Sequence, residues 1–85
     1  MADKPAQDFT LNFVSAAIWD NSDEKRTKFR VTLTKSYKDG EEWKRTTSLT
    51  ARDIPSARTV LEQAYVWIGE ERRRRAKARL AEATD

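Results

Sequence analysis

With neither Cys nor His among its 85 residues, this chain can do acid–base chemistry only with carboxylates, lysines and tyrosines. That excludes thiolate and histidine-based catalysis, the usual zinc sites and any disulfide framework. Two groups of acids remain: Asp20, Asp23 and Glu24 in one polar stretch, and Asp39, Glu41 and Glu42 in another. Neither has the spacing of a calcium loop, and turn chemistry accounts for Asp39 without catalysis. Two glycines do not make a phosphate-cradling loop of the Walker type. The expectation is a protein that is not an enzyme, with no catalytic residue, metal ligand, cofactor or small-molecule substrate. What the chain does concentrate is cations beside aromatics: Lys28, Arg30, Lys35, Lys38, Lys44 and Arg45, with Tyr37 and Trp43 interleaved. A cationic track that follows phosphates, with flat rings on which bases stack, is the chemistry of single-strand recognition. Thr32, Thr34, Thr46 and Ser48 add hydroxyls of the kind that bond phosphate oxygens.

The element that positions these residues is a hairpin from Lys28 to Leu49. Phe29, Val31 and Leu33 alternate with Lys28, Arg30, Thr32, Thr34 and Ser36, the period of a strand with one buried side. Asp39-Gly40 supplies the positive backbone dihedral that a hairpin loop needs. The return strand, Trp43 to Leu49, is rich in Thr and carries Lys44 and Arg45. Charged and Thr residues also make up any merely solvated sheet face, so the hairpin alone admits both readings. Trp43 is open in the same way, to a core place in register with Leu49 or to a stacking place.

Before the hairpin, residues 1–7 read as a short disordered lead-in. Phe9, Leu11 and Phe13 alternate, as do Val14, Ala16 and Ile18, but the phase slips between Phe13 and Val14. Such a slip requires a bulge or a tight turn, hence one bent strand or a short strand pair. Trp19 closes this apolar series and is assigned to the core or an interface, as is Trp67. Residues 20–27 are polar and form a loop.

After the hairpin the period changes. Thr50-Ala51-Arg52-Asp53 has capping-box spacing, with Pro55 in the first helical turn. Ile54, Ala57, Leu61, Ala64, Tyr65 and Ile68 then recur at three- and four-residue spacing, widened by Val60 and Trp67. Gly69 is placed to end or loosen this helix. The remainder, residues 69–85, is a basic helical or disordered tail. Residues 1–68 carry 11 basic and 10 acidic side chains, and residues 69–85 carry 6 and 4, so the positive charge is concentrated at Arg72, Arg73, Arg74 and Arg75 and just beyond. That run reads as an ion-paired helix extension, with Glu70 and Glu71 four residues before Arg74 and Arg75, or as an accessory arm for nucleic acid. It offers too few apolar residues for a membrane anchor. The fold expectation is α+β: three to four antiparallel strands in residues 8–68, followed by one long C-terminal helix.

Ser36-Tyr37-Lys38-Asp39-Gly40, Trp43-Lys44 and Thr46-Thr47-Ser48 resemble a motif of small, uncharacterised bacterial and phage proteins. Those proteins also carry Ile-Trp before the hairpin, here Ile18-Trp19, and a helix ending Ala-x-x-Trp-Ile, here Ala64, Trp67 and Ile68. The likeness spans residues 9–68. In architecture, strands, a long hairpin and one amphipathic helix resemble the positive cofactor four (Whirly-like) family of single-stranded DNA-binding proteins. That resemblance implies a homodimer joined through its helices, binding single-stranded DNA (or RNA) on basic, aromatic-bearing strands, in a coactivator-like or replication and repair role. This chain lacks that family's Ser-rich N-terminal region and adds the Arg-rich tail.

A domain of this size has a core only marginally able to stabilise it, which also favours a second subunit. The helix stripe is wider than a three- to four-stranded sheet covers, so Leu61, Ala64, Tyr65, Trp67 and Ile68 are the expected dimer interface. No apolar run approaches membrane-spanning length and residues 1–5 lack a signal-peptide core; the expectation is a cytoplasmic protein without a membrane partner. The competing function class is a protein-interaction module with a solvated sheet face.

Overall fold

The computed structural model describes residues 4–83. Four strands, β1 (Gln7–Leu11), β2 (Val14–Asp20), β3 (Phe29–Asp39) and β4 (Glu42–Thr46), form one antiparallel sheet in sequence order. A 3-10 turn at Ala51–Asp53 leads into α1 (Ile54–Ala83). The fold is α+β, as the alternating and then helical periods require. Residues 1–3 of the expected lead-in lie outside the described residues. The lead-in is in any case shorter than expected: Gln7 belongs to β1, and Ala6 donates its N–H to the Ile18 carbonyl at 2.7 Å.

The phase slip resolves as a two-residue turn, Asn12-Phe13, that pairs Leu11 with Val14 and makes a strand pair. Both turn residues have positive φ, 50° and 71°. That is the conformation hairpins prefer for their twist, but one that a bulky residue such as Phe rarely adopts. At the other hairpin Gly40 takes φ 64° without strain.

Val14, Ala16 and Ile18 point from β2 onto Ala57, Val60 and Ala64 of α1, and these six form the buried core. Phe9, Phe29, Val31, Leu33, Leu49, Trp67 and Ile68 pack around them. The molecule is therefore two layers thick, 15 Å in its shortest dimension, with α1 on one face of the sheet and, among the described residues, nothing on the other. β4 stops at Thr46, short of the expected Leu49, because the chain must leave the sheet to deliver Leu49 to the core and reach the helix.

Asp53 fixes the helix entry. Its carboxylate accepts hydrogen bonds from the Thr50 backbone N–H (2.8 Å), the Thr50 hydroxyl (3.0 Å) and the Lys35 ammonium (2.8 Å). The Lys35 bond and then the Thr50 N–H hold its pKa below the usual carboxylate range.

Of the two states expected for residues 69–85, helical or disordered, the described part is helical, and two expectations about α1 are corrected. It runs unbroken through Gly69, which neither ends nor breaks it, so residues 70–83 continue the same helix. Packing of Ala64, Trp67 and Ile68 onto the core before it, and strong helix formers after it, outweigh the roughly 1 kcal/mol that a mid-helix Gly costs. The second correction concerns the expected dimer stripe. Ala64 is buried against this chain's own sheet, and Trp67 packs edge-on against Phe29 with ring centroids 5.7 Å apart. Ala64 is thus committed to the fold, Trp67 and Ile68 are half-buried, and Leu61 and Tyr65 are exposed.

Among the arginines of that segment, Arg75 is a structural residue. Its guanidinium donates to Asp20 Oδ2 (2.7 Å) and Ser22 Oγ (3.1 Å), lies 5.0 Å over the Phe29 ring, and approaches Glu71 at 3.6 Å. Arg74 pairs with Glu71 at 3.2 Å, one turn back.

Candidate functional site

Register sorts the hairpin residues onto two faces, because successive side chains on a strand point to opposite sides. β3 pairs with β2 so that Leu33, Val31 and Phe29 oppose Ala16, Ile18 and Asp20 on the helix side. The same parity carries Lys35 and Tyr37 to the helix side, and pairing with β4 puts Lys44 and Thr46 there too. Lys35 is held by Asp53, and Lys44 pairs with Asp39 at 2.9 Å. Lys35, Tyr37 and Lys44 therefore do not belong with the other predicted site residues. The open face takes Arg30, Lys38, Trp43 and Arg45, with Lys28 just before β3 in the same phase as Arg30.

Three kinds of group share this open face. The first is an aromatic pair. Trp43 opposes Lys38 across the hairpin and stacks on Phe13 with centroids 5.5 Å apart and planes 28° apart. Phe13 is 58% exposed and Trp43 59%, so the stack stands out from the sheet rather than filling a core. The core place for Trp43 is thus ruled out: the chain turns away from the sheet after Thr46, so Trp43 and Leu49 do not share a register. Ser36 donates its N–H to the Phe13 carbonyl at 2.9 Å, which seats the turn beside β3.

The second group is a field of hydroxyls. Thr10 and Ser15 bond each other at 2.8 Å, and Thr34 lies opposite Ser15. Thr34, Arg45 and Thr47 line a shallow depression of about 360 Å³, which Thr46, whose side chain points to the helix side, also borders. The third group is cationic. Among the described residues Arg30, Lys38 and Arg45 form no ion pair, and the carboxylate that register brings to this face is Asp8, on the far edge strand.

Trp19 also faces this side, opposite Arg30, and donates its indole N–H to Thr32 Oγ1 at 2.9 Å. Of the two places expected for Trp19, core or interface, the core one is therefore corrected: it lies in phase with Ser15 and Ala17, not with Ile18. Phe13 is the functional candidate that reading the sequence overlooks, because the phase slip marks a turn without marking which residue projects from it. No carboxylate cluster suited to a metal ion occurs among the described residues. Among the described residues no helix is long and apolar enough to cross a membrane.

No family model, curated protein or solved structure significantly matches the chain.

Proposed function

We propose that the open face of the sheet binds single-stranded nucleic acid, with DNA as the reference ligand. The observation that carries this reading is Phe13: a bulky side chain held at φ 71°, largely exposed and stacked on an equally exposed Trp43. A non-glycine residue at such a dihedral costs on the order of 1–3 kcal/mol, and strain of this kind clusters at binding sites. Gly at this position would relax the turn, so the ring is the feature that the strain supports. Two adjacent faces of π-surface suit unpaired bases, each stacked base contributing ~1–3 kcal/mol, whereas paired bases in a duplex keep their faces covered. Arg30, Lys38 and Arg45 supply phosphate charge, and the threonines supply neutral donors beside them.

The protein-interaction reading draws on the pairing of Lys35 with Asp53 and Lys44 with Asp39, which removes two cations from the track. Fluorescence-anisotropy titration of labelled oligo-dT and of a duplex, each at two salt concentrations, separates the two. Preference for the single strand, with affinity falling as salt rises, supports nucleic-acid binding. Failure to bind either oligonucleotide at low salt transfers the aromatic pair to a protein partner.

A further inference from the structure

The sheet has two edges, and they differ. β4 carries Lys44 and Arg45, charges of the kind that keep an edge from pairing, whereas β1 carries neither Lys nor Pro. Residues flanking a two-residue loop bond to each other, so Leu11, Phe9 and Gln7 spend their main-chain groups on β2, and those of Asp8 and Thr10 point outward. The Asp8 N–H donates to the side chain of its own neighbour, Gln7 Oε1, at 3.1 Å, an exposed bond that an incoming main chain can replace. On the helix side of this edge lies a hollow of about 390 Å³ bordered by Phe9, Val66 and Trp67, and Val66 is left 47% exposed there. Asn12 Nδ2 donates to Ser56 Oγ at 3.1 Å while Phe9 lies by Val66, so β1 runs along α1 in the opposite sense. Glu62 and Glu70, one turn to either side of Val66, also line the hollow and stand at its two ends. Among the described residues neither forms an ion pair, and nor does Asp8 on the other face of the same strand. On a chain of net charge +3, this edge is acidic.

We propose that the β1 edge takes an extended, basic segment of a partner protein as an added strand, with the side-chain pattern basic-x-apolar-x-basic. Main-chain bonds to Asp8 and Thr10 extend the ladder, the strand addition by which sheet edges recognise peptides. Alternate residues of the added strand point to one face. An apolar residue opposite Phe9 enters the hollow, and the residues two before and two after it point to the same side. Those two lie about 13–14 Å apart in a strand, against roughly 12 Å along the helix axis between Glu62 and Glu70. Lys or Arg at both places therefore meets a carboxylate, and Asp or Glu there meets like charge. The same carboxylates turn phosphates away, so this edge and the open face take different ligands.

The probe is a labelled peptide, Ser-Lys-Thr-Leu-Thr-Lys-Ser, beside one carrying Glu for both Lys and another carrying Ser for Leu. Each of the two altered peptides binds at least about tenfold more weakly. In an NMR titration of the whole chain with the Lys peptide, the amides of Asp8, Thr10 and Val66 shift and those of Lys38 and Trp43 do not. The Asp8 and Thr10 amide hydrogens exchange more slowly in the complex. Glu62→Lys combined with Glu70→Lys, both on the exposed surface, inverts the preference toward the Glu peptide. Absence of shifts at Asp8 and Thr10 at millimolar peptide overturns the proposal. So do equal affinities for the Lys and Glu peptides, or a preference that the double variant leaves unchanged.

Discussion

At the residue scale, one parity rule separates binding side chains from structural ones. The alternation that turns Phe29, Val31 and Leu33 inward continues to Lys35 and Tyr37, so their place was legible in the sequence. Grouping cations by nearness along the chain mixes the two faces, and Lys44 is misplaced for the same reason. Phe13 was not legible, because Asn-Phe is not a turn dipeptide and its projection depends on a positive φ. Two sets of substitutions test this sorting. Arg30→Ala, Lys38→Ala and Arg45→Ala are each expected to flatten the log–log salt dependence of oligo-dT binding by ~0.7, the loss of one phosphate contact. Lys44→Ala, on the other face, is expected to leave that slope unchanged. Lys35→Ala is expected to lower stability by about 1 kcal/mol in a urea titration while leaving affinity intact, since it removes one of three donors to Asp53.

At the element scale, α1 is one unit whose far half is tied down by a single side chain. Helix formers and i,i+4 charge pairs made residues 70–80 legible as a helix. The long-range contact from Arg75 to Asp20 was not, because nothing local in the sequence joins positions so far apart. Arg75→Ala is expected to cost about 1–2 kcal/mol, combining a charge-assisted bond that is partly screened by solvent with the contact over Phe29. The Arg75 bond, then those from Ser22, lower the Asp20 pKa to about 2. A carboxylate depressed in the folded state binds fewer protons there than when unfolded, so its contribution is complete above the unfolded value of about 4. It is expected to fade as pH falls from about 4 through about 2, and this share of the acid sensitivity should be absent in Asp20→Asn. Denaturant titrations across that pH range check both statements.

At the scale of the whole molecule, the sheet's two faces have opposite assignments. The helix-side face spends its apolar residues on a core of three β2 side chains and three from α1, small enough that Ala16, Ala57 and Ala64 let the layers approach closely. The sequence made this architecture legible because period two gives way to period 3.6 at a cap, and both periods have clear apolar members. It did not show which residues beyond the core would remain exposed. The broad stripe read from α1 divides into a buried half, Ala57, Val60 and Ala64, and an outward half, Leu61 and Tyr65, only once the helix is set over β1 and β2. Among the described residues nothing covers the open face, so cations, hydroxyls and rings meet there without competing for burial.

The most direct measurement of the central claim takes Phe13→Gly and wild type side by side, with urea unfolding and oligo-dT anisotropy on the same samples. Glycine relaxes the Asn12-Phe13 turn and removes a stacking ring. The expected result is stability equal to or above wild type, with single-strand affinity at least fivefold weaker, the lower end of one lost stacking contact at ~1 kcal/mol. Unchanged affinity, or a variant that loses stability while binding as before, would make the Phe13–Trp43 pair a brace of the sheet and contradict the account.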